Sequence, residues 1–204
     1  MEFLTGVKEK ETIGIREILS GDYVGKTVKM NGAVHNIRDM GEFAFIILRK
    51  AEGLVQCVYE EGKTEFDLKD LKEESAVEVT GVIALEERAP QGFELRLTGI
   101  RVLSEPAETM PIAINKWKMN TSLETRLSLR PVSLRNVRER AKFKIQEGIV
   151  RGFREFLSSQ GFTEVHTPKI VSRGAEGGAN VFKLNYFNKK AELGQSPQFY
   201  KQMM

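Results

Sequence analysis

The 204 residues are 41% hydrophobic and 29% charged, with a net charge of +3, a composition that suits one large globular domain or two modest ones. No apolar run approaches the ~18 residues of a bilayer span, and the opening MEFLTGVKEKETIGIREIL lacks the order of a signal peptide. One cysteine, Cys57, beside two histidines leaves neither an internal disulfide nor a Cys/His metal framework. The expectation is a soluble cytoplasmic protein. Charge is uneven along the chain: residues 1–105 carry 14 Lys and Arg against 20 Asp and Glu, and residues 106–204 carry 17 against 8. Two modules with different surfaces follow from that contrast.

In chain order, TVKMNGAV (27–34), GEFAFIILR (41–49) and GLVQCVY (53–59) come first, each apolar or alternating and bounded by glycine. Period-two runs rich in Val, Ile and Phe predict strands. EFDLKDLKEES (65–75) suits a short helix through Phe66, Leu68 and Leu71. AVEVTGVIAL (76–85) and FELRLTGIRVL (93–103) predict two further strands. Three strands, a helix and two strands is the order of an OB-fold, a Greek-key barrel that often binds single-stranded nucleic acid. Residues 104–131, with SEPAETMP, form a connector without sustained periodicity.

After Pro131 the period changes. Val137, Ala141, Ile145, Ile149, Phe153 and Phe156 recur every three or four positions, the apolar stripe of a long helix. Ser133 is placed to cap its start and Gly161 to end it in a left-handed turn. FTEVHTPKIV (162–171) reads as a strand with Pro168 at an edge or end. The rest reads as a glycine loop, a strand, a turn, a strand and a helix start at SPQ, with Ser196 as cap and Pro197 in the first turn.

Three stretches, GFTEVHTPKI (161–170), EGGANVFKLNYF (176–187) and LGQSPQFYKQ (193–202), together resemble the start of the catalytic domain of a class II aminoacyl-tRNA synthetase. TRLSLRP (125–131) and VHNIRDMGEFAFIILR (34–49) resemble the same proteins, in the subgroup with an OB-fold in front. The likeness is to the aspartyl enzymes of archaeal and eukaryotic kind. It implies an all-β OB-fold barrel over 1–103, a hinge over 104–131, and the first part of an α+β catalytic domain over 132–204.

The resemblance also implies roles. Lys201 would pair with the side-chain carboxylate of L-aspartate, whereas asparaginyl enzymes typically lack that lysine. Ser196 and Gln198 would line the same pocket, and Glu176 would meet the substrate ammonium from a glycine-rich loop. Phe45 would stack an anticodon base of tRNA(Asp), with Gln56 and Glu94 reading base edges. On pattern alone Phe45 also suits a core, Glu94 a plain outward position and Lys201 a solvated helix turn. The barrel segment's net negative charge needs local cations for phosphate, among them Lys26, Lys29, Arg38 and Arg49. The long helix and Pro168 would build a homodimer interface, although Phe153, Phe156 and Phe162 suit interface or core alike. ATP and Mg²⁺ would serve the whole enzyme through later arginine and acidic motifs that these 204 residues do not contain. The chain by itself is therefore expected to be inactive, with exposed apolar surface and poor solubility. Alternative readings are a non-catalytic RNA- or partner-binding protein, or an asparaginyl enzyme.

Overall fold

A computed structural model describes residues 12–64, 66–174 and 180–204. The chain forms two compact units, one ending at Lys142 and one beginning at Phe143.

The first unit holds helix α1 (Ile15–Ser20), whose Ile15 and Ile18 join the main core. Strands β1 (Thr27–Asp39), β2 (Phe43–Arg49), β3 (Leu54–Glu60), β4 (Ala76–Leu85) and β5 (Phe93–Ser104) close into a barrel of order β1-β2-β3-β5-β4. The alternation seen in the sequence is the alternation of faces. Ile46 and Leu48 of β2, Val55 and Cys57 of β3, Val77 and Val79 of β4, and Leu95 of β5 all point into one core. Each such aliphatic side chain contributes about 1.5–3 kcal/mol by leaving water. The closing pair, β3 with β5, is parallel and sets Gln56 opposite Glu94 and Val58 opposite Arg96. In place of the helix expected over 65–75 there is a single 3₁₀ turn, Leu68–Asp70, whose cap is the Asp67 carboxylate accepting from Lys69 N–H at 3.0 Å.

β1 is longer than the sequence suggests and carries a bulge. The register slips between Val34 and Asn36. His35 is the extra residue, and Asn36 and Arg38 then lie opposite Ile47 and Phe45. Beyond the barrel, Ile112, Ile114 and Met119 form a small second core with Leu129 and Val132. Helices α2 (Leu123–Ser128) and α3 (Arg130–Ser133) follow.

Helix α4 (Val137–Ser159) begins later than the sequence suggests, and its cap is Asn136 rather than Ser133. Asn136 Oδ1 accepts from Arg138 and Glu139 N–H at 3.1 Å each, while its Nδ2 donates to the carbonyls of Ile114 and Lys116. One buried amide thus caps the helix and ties down the second core. Ser133 ends α3 instead, its hydroxyl donating to Arg126 O at 2.8 Å. The expected stop holds: Gly161 has φ +81°, its N–H bonds Ser158 O and the Phe162 N–H bonds Leu157 O, a Schellman turn.

In the second unit, β6 (Ile170–Val171), β7 (Lys183–Tyr186) and β8 (Lys189–Leu193) form a sheet of order β6-β8-β7, and α5 (Gln198–Met203) follows. The strand expected over 162–171 is reduced to its last two residues. Its partner β8 ends at Leu193, where Gly194 N–H turns to Lys169 O at 2.7 Å, and Pro168 has no N–H to offer a ladder. No residue of α4 is buried: Ile145, Ile149, Phe153 and Phe156 are each more than 60% exposed. Among the described residues no helix is long and apolar enough to cross a membrane.

Candidate functional site

The parallel closure of the barrel decides what its outer surface presents. Residues directly opposite one another in paired strands share a face. On β2 the inward set is Ala44, Ile46 and Leu48, so Phe43, Phe45 and Ile47 face out. On β3 Gln56 and Val58 face out, and on β5 Glu94 and Arg96 do. The registers then build two adjoining rows: Asn36–Ile47–Gln56–Glu94 and Arg38–Phe45–Val58–Arg96. Phe45, Gln56 and Glu94, far apart in sequence, lie on one face of the barrel. Phe45 is outside the core cluster and only half-buried. Phe43 meets it edge-on, with ring centroids 5.5 Å apart.

The polar members are linked. Gln56 Nε2 donates to Glu94 Oε2 at 3.3 Å, which turns the Gln56 carbonyl oxygen away from the carboxylate. Arg96 Nε donates to Glu94 Oε1 at 3.4 Å. Glu94 is 7% exposed, so it is an outward residue that its neighbours nevertheless cover. An aromatic platform, an amide that both donates and accepts, and a carboxylate acceptor are the groups that hold a splayed base and read its edge.

The cations of this face are those expected only in part. Arg38 is exposed directly beside Phe45. Arg96, which sequence reasoning passed over, closes the other end of the same row. Its signal was the two-residue spacing from Glu94, which puts both on one side of a strand. Arg49, by contrast, is no phosphate ligand. Its guanidinium makes a two-pronged ion pair with Glu74, at 2.5 and 2.8 Å, with side chains 9% and 3% exposed. Arg135 joins the same carboxylate at 2.9 Å, and Arg49 also lies 3.1 Å from His35 Nδ1. Burial alone would raise the Glu74 carboxyl, but the hydrogen bond and charge of Arg49, reinforced by Arg135, hold it below the ordinary range. Burial, then the Arg49 charge, pushes His35 down. Lys26 sits over the Tyr23 ring, 5.7 Å from its centroid.

In the second unit, Ser196, Gln198 and Lys201 lie on one short stretch at the start of α5. Ser196 Oγ accepts from Gln198 N–H at 3.3 Å, and Lys201 N–H bonds Pro197 O at 3.0 Å. The cap is Pro197 rather than the expected Ser196: α5 begins at Gln198, and Ser196 Oγ closes the turn just before it. Gln198 and Lys201 are exposed, and Lys201 Nζ makes no ion pair among the described residues. Pro168 is exposed, and its carbonyl approaches Gly194, two residues before Ser196. Glu176 lies outside the described residues. The positions flanking it are anchored close to the same stretch: Gly174 N–H donates to Glu192 Oε2 at 2.8 Å, and Asn180 O accepts from Gln195 Nε2 at 2.7 Å. Among the described residues no group of three or more His, Cys, Asp or Glu side chains is placed to hold a metal ion.

A closed five-stranded barrel with an aromatic and polar outer face, ahead of an antiparallel hairpin and a SPQ helix, has the architecture of an OB-fold joined to the start of a synthetase catalytic domain. Residues 28–103 match the family model for an OB-fold nucleic acid binding domain, and residues 122–204 that for tRNA synthetases class II (D, K and N). The chain is 46% identical over 180 residues to an aspartate–tRNA(Asp/Asn) ligase of Deinococcus radiodurans, covering 88% of this chain and 40% of that protein. A second protein of that name, from Archaeoglobus fulgidus, is 44% identical over 184 residues, covering 88% of this chain and 43% of its own length. Among solved structures, asparaginyl-tRNA synthetase from Pyrococcus horikoshii complexed with asparaginyl-adenylate aligns with a TM-score of 0.77 and 33% identity, over 89% of this chain and 42% of that one. Residues 122–204 thus match the class II tRNA synthetases, and the chain is homologous to the N-terminal portion of proteins named aspartate–tRNA(Asp/Asn) ligase. It spans about 40% of the length of the relatives it matches.

Proposed function

We propose that the chain is the anticodon-reading and pocket-forming part of an aspartate–tRNA ligase. The longer protein joins L-aspartate to the 3′ end of tRNA, with ATP and Mg²⁺ supplying the activation chemistry. The observation that carries this reading is the convergence of Phe45, Gln56 and Glu94 on one outer face. The relatives are named for both tRNA(Asp) and tRNA(Asn), which supports the same pair of RNA partners here.

In the pocket, the Lys201 ammonium pairs with the aspartate side-chain carboxylate, while Ser196 and Gln198 orient the substrate and Glu176 meets its ammonium. A site built around a cation rejects the neutral amide of asparagine, because the amide leaves that charge unpaired. The exposed apolar side of α4, with Pro168, is the surface a second copy covers to form a homodimer. We place the enzyme in the cytoplasm, where its RNA partners are used.

The test is Lys201→Leu in the longer protein. Loss of a charge pair worth about 3–5 kcal/mol lowers kcat/KM for aspartate by at least about 100-fold. Aspartylation that survives the change overturns the pocket assignment. The 204 residues alone are expected to give no ATP–pyrophosphate exchange.

A further inference from the structure

The barrel and the segment that follows it keep separate cores. Ile112, Ile114 and Met119 pack with Leu129 and Val132 and do not merge with the residues inside the barrel. A cavity opens at this junction, lined by His35, Glu73 and Glu74 from the barrel side and by Met110, Ile112 and Asn115 from the other. Close-packed apolar surface therefore does not weld the two together, and polar links across the junction set its geometry.

Three such links reach back to the barrel. Asn115 Nδ2 donates to both oxygens of Glu73, at 3.1 and 3.2 Å. Arg140 Nη2 donates to Lys50 O at 3.2 Å. Arg135 Nη1 donates to Glu74 Oε2 at 2.9 Å. Of these three, only the Arg135 link joins opposite charges. It also stands immediately before Asn136, the cap of α4. That helix runs from Val137 past the unit boundary at Lys142 to Ser159. A rigid element carries onward whatever fixes its first turn.

Glu74 separates this link from the stability of the barrel. Arg49 already pairs both carboxylate oxygens from a side chain 9% exposed, whereas that of Arg135 is 43% exposed. Removing Arg135 leaves no buried charge without a partner, so the barrel keeps its fold while the link to α4 is lost.

We infer that Arg135 is a positioning residue for aminoacyl transfer: its ion pair with Glu74 holds the anticodon-reading barrel at a fixed angle to the start of α4, so that tRNA bound at the barrel delivers its 3′ end to the aspartate pocket. The inference rests on the proposed function above and adds a residue to it. In the transfer step a ribose hydroxyl oxygen of the tRNA 3′ end bonds to the aspartyl carbonyl carbon. The bond from that carbon to the AMP phosphate oxygen breaks, AMP leaves with the electron pair, and the hydroxyl proton passes to solvent. Arg135 touches none of these atoms. It acts through Glu74 and α4, by keeping the bound RNA in reach.

The test uses the longer protein and three readings: aspartate-dependent ATP–pyrophosphate exchange, aspartylation of whole tRNA(Asp), and fluorescence anisotropy with the isolated anticodon hairpin. Arg135→Met should leave exchange and hairpin affinity within about twofold of the wild type. It should lower kcat for whole tRNA by about fivefold or more with KM little changed, the effect of one half-exposed charged hydrogen bond. Arg135→Lys, which still reaches the carboxylate with one donor, should restore part of that rate. Parallel loss of exchange, or of hairpin binding, would make Arg135 a merely structural residue and overturn the inference. Transfer that stays within about twofold of the wild type would overturn it too. Arg135→Gln carries the same expectation should the methionine variant fail to fold. A wild-type protein without aspartate-dependent exchange would defeat the proposed function itself, a result distinct from any effect of Arg135.

Discussion

Replacing Glu74 by alanine removes the one carboxylate that two arginines share. Arg49 is buried against it with both terminal nitrogens bonded, and Arg135 reaches it from the segment ahead of α4. Deleting one partner of a buried pair leaves an uncompensated charge and costs about 3–5 kcal/mol, a large share of the roughly 5–15 kcal/mol that holds a domain together. Glu74 also sits at φ +69°. A side chain in that left-handed region costs about 1–2 kcal/mol, and glycine avoids it. Glu74→Gly is therefore expected to be about 1 kcal/mol less damaging than Glu74→Ala, although both lose the same carboxylate. The double change Arg49→Met with Glu74→Leu should recover much of the loss, since an apolar pair leaves no charge to desolvate. Urea unfolding followed by circular dichroism measures all three against the wild type. A loss below about 1 kcal/mol for Glu74→Ala, or a glycine variant weaker than the alanine one, would refute the reasoning. The pair also predicts an acid dependence. The folded carboxyl titrates below its ordinary 4.5, so its contribution is complete above about that pH and is lost as pH falls through the lower folded value.

Three further outcomes follow from the first unit. His35 is held neutral, its folded pKa below 6.5 through burial and the charge of Arg49, with Arg140 acting the same way and Glu74 opposing. Its share of stability is complete above about pH 6.5 and is lost as pH falls below that; in His35→Gln this part of the pH–stability curve should flatten. Cys57 is fully buried and burial pushes its thiol well up, so alkylation at pH 8 should stay slow until denaturant is added, and fast native labelling would contradict the barrel core. Gly81 lies where a Cβ would come 2.4 Å from Arg96 O; Gly81→Ala should cost about 1–3 kcal/mol by overpacking, measured by thermal melting.

The barrel strands were legible because each alternates residues rich in Val, Ile and Leu, and the structure keeps those boundaries within a few residues. The outer face was legible in part. Phe45, Gln56 and Glu94 could be named from resemblance, but their union depends on the parallel β3–β5 register, which no local pattern encodes. Arg49 looked like a surface cation because its partner, Glu74, lies 25 positions away. The cap of α4 was missed for a similar reason. Ser133 and Asn136 are both cap residues, and the choice falls to Asn136 because its amide also satisfies carbonyls at Ile114 and Lys116. The bulge at His35 shifts the later half of β1 by one residue, so Arg38 faces outward beside Phe45. In 162–171 the apolar residues suggested a full strand, but β8 offers it a partner for two residues alone.

The most direct measurement is a photo-crosslink. A tRNA(Asp) transcript carrying 4-thiouridine at the middle anticodon base is irradiated with the 204-residue chain, and the attached peptide is identified by mass spectrometry. Attachment within β2 or β3, at Phe45 or beside Gln56, is the result the account requires. Attachment confined to the second unit, or none at a concentration where the RNA binds, would contradict it.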